Sequence, residues 1–160
     1  MSEKKINFSE LAKKRLRDFN KAEVQGWVIE RFIRIEERIN NIILDFFKPD
    51  NKELFTSVVL NSSVLTIGAK IKILANIGVD NSTINKIRKL ASIRNGFAHT
   101  LITHQISIKP PSKSEPAKKV ETEVTSIVNV MNSSGKIITK NAHEYLSEYL
   151  ELLQEVEKEI

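Results

Sequence analysis

The sequence predicts an all-α fold, a bundle of about five helices with a small β-hairpin inserted before the last helix. Apolar residues recur at spacings of three and four over most of the chain, which is typical of amphipathic helices. Two runs of β-type composition occur only late, within residues 124–140. Hydrophobic residues make up 41% of the 160 residues and charged residues 28%, enough apolar material for one core. We therefore expect a single domain over residues 1–160.

The first two helices are predicted from a cap, an apolar stripe and a terminator. Ser9 is a candidate N-cap for a short basic helix over residues 9–19. A long amphipathic helix is predicted from Ala22 to Phe47, and Pro49 ends it. Its core-facing stripe consists of Val24, Val28, Phe32, Ile35, Ile39, Ile42 and Phe46.

The middle of the chain is predicted to contain three helical segments. A short helical piece over residues 52–60 precedes a largely buried helix over 61–78, which ends with Gly78 in the C′ position. The next helix starts after Asp80 or Asn81 and runs through the segment INKIRKLASIRNGFAH.

After residue 99 the sequence changes from helical to β-type character. HQISIK, residues 104–109, alternates, and residues 124–140 form two runs around the turn NSSG. Between them, residues 109–121 contain three prolines and four lysines. We predict a mobile basic loop there, disordered over residues 109–119 in the free protein, because prolines deny it regular pairing.

The closing helix is predicted over residues 141–160. Asn141 and Glu144 resemble a capping box at its start. Its apolar stripe consists of Ala142, Leu146, Tyr149, Leu153 and Val156.

Composition excludes several classes of site and location. The absence of cysteine rules out a disulfide framework, a thiolate metal site and a cysteine nucleophile. The sequence contains no run of 18 apolar residues and no apolar segment near its N-terminus. Neither a membrane span nor a signal peptide is therefore predicted. We therefore expect a cytoplasmic protein with no membrane partner.

Charge is distributed unevenly along the chain. Residues 61–100 carry six basic side chains against Asp80, a local charge of +5, whereas residues 141–160 carry six glutamates against Lys158, a local charge of −5. A polyanion can approach the basic face, but an ordinary solvated surface produces the same statistics.

Arg94 has an unusual position on the helix that ends near residue 99. At about 100° per residue the apolar residues of this helix share one arc, and Arg94 falls in the middle of it. A guanidinium cannot shed its charge, so it needs a carboxylate, carbonyl groups, an anion or a second subunit beside it. The arc consists of Ile87, Leu90, Ala91, Phe97, Ala98 and Leu101.

A polar ridge lies on the flank of the same helix. It consists of Arg88, Ser92, Asn95 and His99, at spacings of four, three and four. We expect the Asn95 amide, one turn before His99, to orient the imidazole. Gly96 beside the ridge costs about 1 kcal/mol of helix stability relative to alanine. Either another backbone approaches it closely, which would make the ridge an oligomer surface, or it merely loosens the helix end.

Residues 94–99 spell RNGFAH, an arginine and a histidine separated by four residues with a polar residue after the arginine. This motif resembles that of the HEPN superfamily, small helical bundles that include metal-independent ribonucleases and non-catalytic members. The stretch from Glu53 to His99 is also similar to the mannitol operon repressor family, which shares an S-x-x-x-K-I-K type segment ahead of an R-N-x-x-A-H element. The resemblance implies a HEPN-like bundle and a homodimer in which two motifs line one cleft.

The HEPN resemblance implies ribonuclease chemistry without a metal, of a toxin or defence type. The RNA 2′-hydroxyl would attack the adjacent phosphate and leave a 2′,3′-cyclic end. His99 suits proton transfer and the Arg94 fork suits the extra negative charge on phosphorus, with Asn95 orienting His99. Single-stranded RNA and a cognate antitoxin are the partners that this hypothesis predicts. The residues expected to contact RNA are Arg88, Ser92 and Lys89.

An ideal helix separates Arg94 and His99 by about 140°, so one straight helix does not direct both side chains to one phosphate. A composite site in the homodimer would resolve this difficulty. Unwinding of the helix before His99 is the local alternative.

A non-catalytic regulator or protein-interaction domain, similar to the mannitol operon repressors, is the alternative function. It would dimerise and contact another regulatory protein, because the segment NIGVDNST lacks a recognition helix for DNA. In that case Arg94 is bonded to a glutamate of the long helix, for example Glu30 or Glu37, and His99 caps its helix C-terminus.

No metal site and no cofactor is predicted. His104 at a strand start and His143 at a helix start have no partner at ligand spacing, which is typical of solitary surface histidines. The aromatic residues of the long helix have core spacings and offer bases no stacking platform. They are Trp27, Phe32, Phe46 and Phe47.

Overall fold

The computed structural model describes residues 7–18, 21–109, 121–131 and 134–160. Helices dominate these ranges, which confirms a helical bundle, but three strands precede the last helix, so the fold is not all-α. In chain order the elements are α1 (Phe8–Asp18), α2 (Lys21–Phe47), α3 (Lys52–Leu54), a π-helical segment (Phe55–Val59), α4 (Ile67–Asn76), α5 (Asn81–His99), β1 (Ile102–Lys109), β2 (Glu121–Met131), β3 (Ile137–Asn141) and α6 (Ala142–Glu159).

The strands form one antiparallel sheet of order β1-β2-β3 rather than a two-stranded hairpin. The alternating segment after α5 supplies the additional strand, in which Ile102 pairs with Val128 and Lys109 with Glu121. Lys109 and Glu121 therefore belong to strands and not to the predicted loop. The rest of that loop, residues 110–120, lies outside the described residues. Alternation in β1 indicated a strand, but it could not indicate which strand it would pair with.

Asn7, not Ser9, caps α1. Asn7 Oδ1 accepts a hydrogen bond from the Glu10 amide at 3.2 Å, which is the arrangement of an N-cap. Ser9 lies inside the first turn, where its Oγ and its carbonyl oxygen lie 3.1 and 2.9 Å from His143 Nε2. His143 is therefore not a solitary surface histidine. Instead, it attaches α1 to the start of α6.

The long helix α2 spans Lys21–Phe47, as predicted to within one residue. Its predicted stripe is buried as far as Ile39, but in the last turns Ile43 replaces Ile42 in the core. Phe46 and Phe47 are 56% and 53% exposed, so the expectation that they lie in the core is wrong. The predicted stripe therefore matches the buried face of α2 from Val24 to Ile39 but not in its last two turns.

The predicted helix over residues 61–78 is shorter in the structure. Thr66 caps α4 by accepting a hydrogen bond from the Ala69 amide, and residues 61–65 form turns. Gly78 has a φ of 93°, and the following amide of Val79 donates to the Leu74 carbonyl at 3.1 Å. This confirms Gly78 as the residue that ends the helix in a left-handed conformation.

Helix α5 is the central helix of the bundle and contacts α2, α4, α6 and β2. Asp80 caps its N-terminus with its carboxylate, and Asn141 caps α6 with its side-chain amide oxygen. All members of the predicted α6 stripe are buried. Within that stripe, the Tyr149 hydroxyl donates to the Val28 carbonyl at 2.8 Å and so attaches α6 to α2.

Candidate functional site

A groove of about 990 Å³ lies between α5, the start of α6 and the sheet. Four residues predicted from the sequence line it on the α5 side: Lys89, Ser92, Asn95 and His99. Strands β2 and β3 line the opposite side. The polar ridge therefore faces a cavity formed by the chain itself.

Arg94 does not share this groove with His99. Helix α5 is continuous through residue 99, so no unwinding brings the two side chains together. The helical period then separates them by about 140°. Within the part of the chain that the structure describes, Arg88 and Arg94 are the predicted residues that do not line the groove.

Arg94 instead packs toward α2. Its guanidinium lies over the ring of Phe32, with Cζ 4.6 Å from the ring centroid, a cation–π contact. The charge of Arg94 lowers the pKa of Glu36, whereas within the described ranges Arg94 forms no ion pair with Glu30 or Glu37, the partners that the sequence suggested. Among the described residues the half-buried guanidinium has no hydrogen-bond or ion-pair partner, so its donors remain available.

Glu36 lies at the centre of a mostly buried polar cluster that joins α2 to α4. The fully buried Lys70 donates to Glu36 Oε1 at 2.6 Å, and Ser62 Oγ donates to the same oxygen at 2.6 Å. Burial raises the pKa of Glu36, but these hydrogen bonds and the charges of Lys70 and Arg94 outweigh burial. The net result is a Glu36 pKa below its ordinary value.

We predict that the stability provided by Glu36 is lost in acid. Because its pKa is lowered in the folded state, this stability is complete above the unfolded pKa of about 4.3 and disappears as the pH falls toward the folded pKa. The free energy of unfolding of wild type should exceed that of Glu36→Gln at pH 7, and the difference should shrink below about pH 4.3. Urea unfolding at each pH measures it. A difference that is independent of pH would contradict the prediction.

His99 is the basic residue in the last turn of α5, as the alternative hypothesis expected, but it makes no capping hydrogen bond among the described residues. Gln25 Nε2 donates to the carbonyls of Phe97 and Thr100 at 2.8 and 2.6 Å, and Thr100 Oγ1 donates to the Gly96 carbonyl. These bonds satisfy carbonyl groups that a helix C-terminus otherwise leaves unpaired. Gln25 of α2 and Thr100 therefore make the capping hydrogen bonds that His99 does not make.

Three polar side chains on the α5 wall of the groove are not used by the fold. Ser92, Asn95 and His99 are exposed, and in the described ranges none of them has a hydrogen-bond or ion-pair partner. Asn95 and His99 make no hydrogen bond with each other there, so the orientation expected for His99 has no visible support. Polar groups gathered in a groove without internal partners are typical of a ligand-binding surface.

Gly96 is approached closely by side chains of its own chain. A Cβ atom at this position would lie 2.8 Å from Val130 Cγ1 and 2.9 Å from Tyr145 Cε1. Both sequence-based explanations of Gly96 are therefore wrong: it neither contacts another backbone nor merely loosens the helix. Gly96 lets β2 and α6 pack on α5, and it gives no support to an oligomer surface.

The charges around the groove are few. Lys89 forms an ion pair with Glu148, and Arg88 Nη1 donates to Asn85 Oδ1 at 3.2 Å. Lys140, on the β3 wall, has no ion pair within the described residues. The net charge of the rim is thus small and positive, which does not form an extended basic track for a polyanion.

The remaining histidines do not indicate a metal site. His104 is exposed, as expected of a surface histidine, and its Nδ1 lies 3.2 Å from Oγ of Ser126, its cross-strand neighbour. No group of three or more histidine, aspartate or glutamate side chains that could hold a metal occurs in the described ranges. In the same ranges no helix is both long and apolar enough to cross a bilayer.

Two features escaped the sequence-based reasoning. Lys70 lies three residues after Ile67 and four before Leu74, so its place on an apolar face was visible in the sequence. The groove residues Ile138 and Lys140 gave no comparable signal, because their role depends on how β3 is placed beside α5.

Comparison with protein-family models, with curated proteins and with solved structures finds no match.

Proposed function

We propose that this chain is a cytoplasmic, HEPN-like, non-catalytic interaction domain that binds a partner protein through the groove beside α5. In this respect it is similar to the mannitol operon repressors, and it is proposed to act as a homodimer. The observation that carries the proposal is the separation of Arg94, which packs on Phe32 of its own chain, from His99 in the groove.

Two contacts explain why this separation favours binding over catalysis. Phosphoryl chemistry requires the proton-transfer group and the anion-stabilising group to meet at one phosphate. Here His99 faces the groove, whereas Arg94 packs on Phe32 next to Glu36. Moving Arg94 into the groove would break its cation–π contact and turn its charge away from Glu36.

The lining of the groove also favours a protein partner. Leu101, Met131 and Ile137 are more than 70% exposed, and all three line the groove. Exposed apolar side chains with a polar rim are typical of protein-binding surfaces.

A metal-independent ribonuclease remains the second candidate, on one specific observation. His99 and Asn95 lie together in the groove without partners among the described residues, and Arg94 has unused donors. A second copy of the chain could then complete a composite site with single-stranded RNA bound.

The two candidates predict different RNA cleavage by wild type and by the His99→Ala variant. For an interaction domain, wild type should leave labelled single-stranded RNA intact in the presence of chelator. The free energy of unfolding of the variant should lie within about 0.5 kcal/mol of that of wild type, because His99 is exposed and hydrogen-bonded to no described residue. Denaturing gels and urea unfolding measure the two quantities. Chelator-resistant cleavage by wild type that disappears in His99→Ala would reject the interaction domain and establish the ribonuclease.

A further inference from the structure

We propose that β3 and the adjoining groove bind an extended segment of a partner protein by strand addition. The segment carries an apolar residue and, two positions away, a carboxylate. This inference rests on the proposed function and adds the chemistry of the partner.

Strand β3 offers an open edge. The sheet order is β1-β2-β3, so among the described residues β3 is paired on one side only. Four of its five residues are exposed and the fifth is half-buried. An edge strand presents a row of unpaired N–H and C=O groups, which an extended peptide can pair with.

The register places two β3 side chains in the groove. Ile138 is the cross-strand partner of Val130, and Lys140 is the partner of Val128. Cross-strand partners lie on the same face of a sheet, and both valines are buried on the face that packs on the helices. Ile138 and Lys140 therefore point toward the helices but line open space.

A strand added beside β3 would extend the same face of the sheet. Every second side chain of that strand would then enter the groove and face α5. Across the groove, the side chains of Ser92, Asn95 and His99 have no partners in the described structure and are free to bond to it.

The order of side chains on β3 sets the order on the ligand. Ile138, which is 36% exposed, requires an apolar neighbour. Lys140, two residues further along, has no ion pair among the described residues and favours a carboxylate. Neighbouring strands run side by side, so the apolar and acidic residues of the ligand must also be two positions apart.

Other occupants fit these observations less well. RNA would need a broad aromatic platform, but the one Phe, Tyr or Trp ring among the described lining residues, that of Tyr145, is 8% exposed and stacked on Phe97, which leaves only the small imidazole of His99. A second copy pairing its β3 antiparallel about Thr139 would set Ile138 against Lys140. Neither RNA nor this pairing of two copies provides both an apolar group for Ile138 and a carboxylate for Lys140.

The test begins with selection of a random-peptide display library against the full chain, followed by synthesis of the enriched peptides. We expect peptides with an apolar residue and an acidic residue two positions apart. Ile138→Glu and Lys140→Glu should each weaken their binding by at least about tenfold. The matched control Val124→Glu, on β2 at an exposed position outside the groove, should leave Kd unchanged. Circular dichroism checks that each variant is folded.

Backbone methylation of a bound peptide tests strand addition directly. Alternate amides of an added strand point toward β3, so N-methylation of one alternating set should abolish binding and methylation of the other set should not. Equal effects of the two sets would overturn strand addition. Enriched peptides that tolerate both groove variants would overturn the site.

Two further measurements distinguish the other occupants. Displacement of the peptide by a single-stranded RNA oligonucleotide would assign the groove to RNA. Conversion of a dimer to a monomer by Ile138→Glu in light scattering would assign it to a second copy. Either result overturns the inference, whereas cleavage of RNA dependent on His99 rejects the proposed function alone.

Discussion

Replacement of Lys70 by methionine is expected to lower the free energy of unfolding by about 3 to 5 kcal/mol. The change removes the ammonium group that donates to Glu36 at 2.6 Å and leaves a carboxylate that is 13% exposed without its main partner. Ser62 and Arg94 still stabilise the Glu36 charge in part. The loss should therefore lie toward the lower end of this range. Urea unfolding followed by circular dichroism measures it.

Lys72→Met is the matched control, because Lys72 lies on the same helix but is exposed. It should change the free energy of unfolding by no more than about 0.5 kcal/mol. Equal effects of the two substitutions would show that the Lys70–Glu36 pair does not stabilise the fold. The double variant Lys70→Met with Glu36→Gln should recover part of the loss, since no unpaired charge then remains buried.

Gly96→Ala is expected to lower the free energy of unfolding by up to about 2 kcal/mol, because overpacking usually costs about 1 to 3 kcal/mol. The new methyl group would lie less than 3.0 Å from Val130 Cγ1 and from Tyr145 Cε1, so β2 or α6 must shift. This cost opposes the gain of about 1 kcal/mol that alanine normally brings to a helix interior. Thermal and urea unfolding measure the net effect.

Gly26→Ala gives the opposite sign and serves as the control. Gly26 lies within α2. Apart from its chain neighbours and the nearby backbone of its own helix, no described atom would lie within 4 Å of a Cβ atom there. Alanine should therefore stabilise the protein by about 0.5 to 1 kcal/mol. Stabilisation by both substitutions would mean that Gly96 is not needed for close packing. In that case, adding Val130→Ala to Gly96→Ala should restore no stability. The close contact with Val130 instead predicts that the double variant recovers part of the free energy of unfolding that Gly96→Ala loses.

The site was visible in the sequence only in part. Helical spacing placed Ser92, Asn95 and His99 on one ridge, and the structure puts all three on one wall of the groove. The same spacing predicted that Arg94 and His99 would diverge, and α5 remains a continuous helix that keeps them apart. The second wall of the groove could not be predicted, because its residues on β2 and β3 lie 30 or more positions after His99 in the chain.

Sequence alone located the main helices and several of their ends, although Asn7 rather than Ser9 caps α1 and α4 begins at Ile67 rather than near residue 61. Periodicity, the caps Asp80 and Asn141 and the glycine at position 78 act within a few residues, so local physics is sufficient to locate them. It also determined that Arg94 faces the core side of α5, because this follows from the helical period.

Only the tertiary structure decided which groups meet. Periodicity shows that a residue faces inward but not what it will contact, so the Glu36–Lys70 pair and the contacts of Gly96 with β2 and α6 were not foreseen. The pairing of β1 with β2 likewise depends on register across a long connection. These contacts join residues distant in sequence, and among the described residues the strand pairing leaves β3 bonded on one side only.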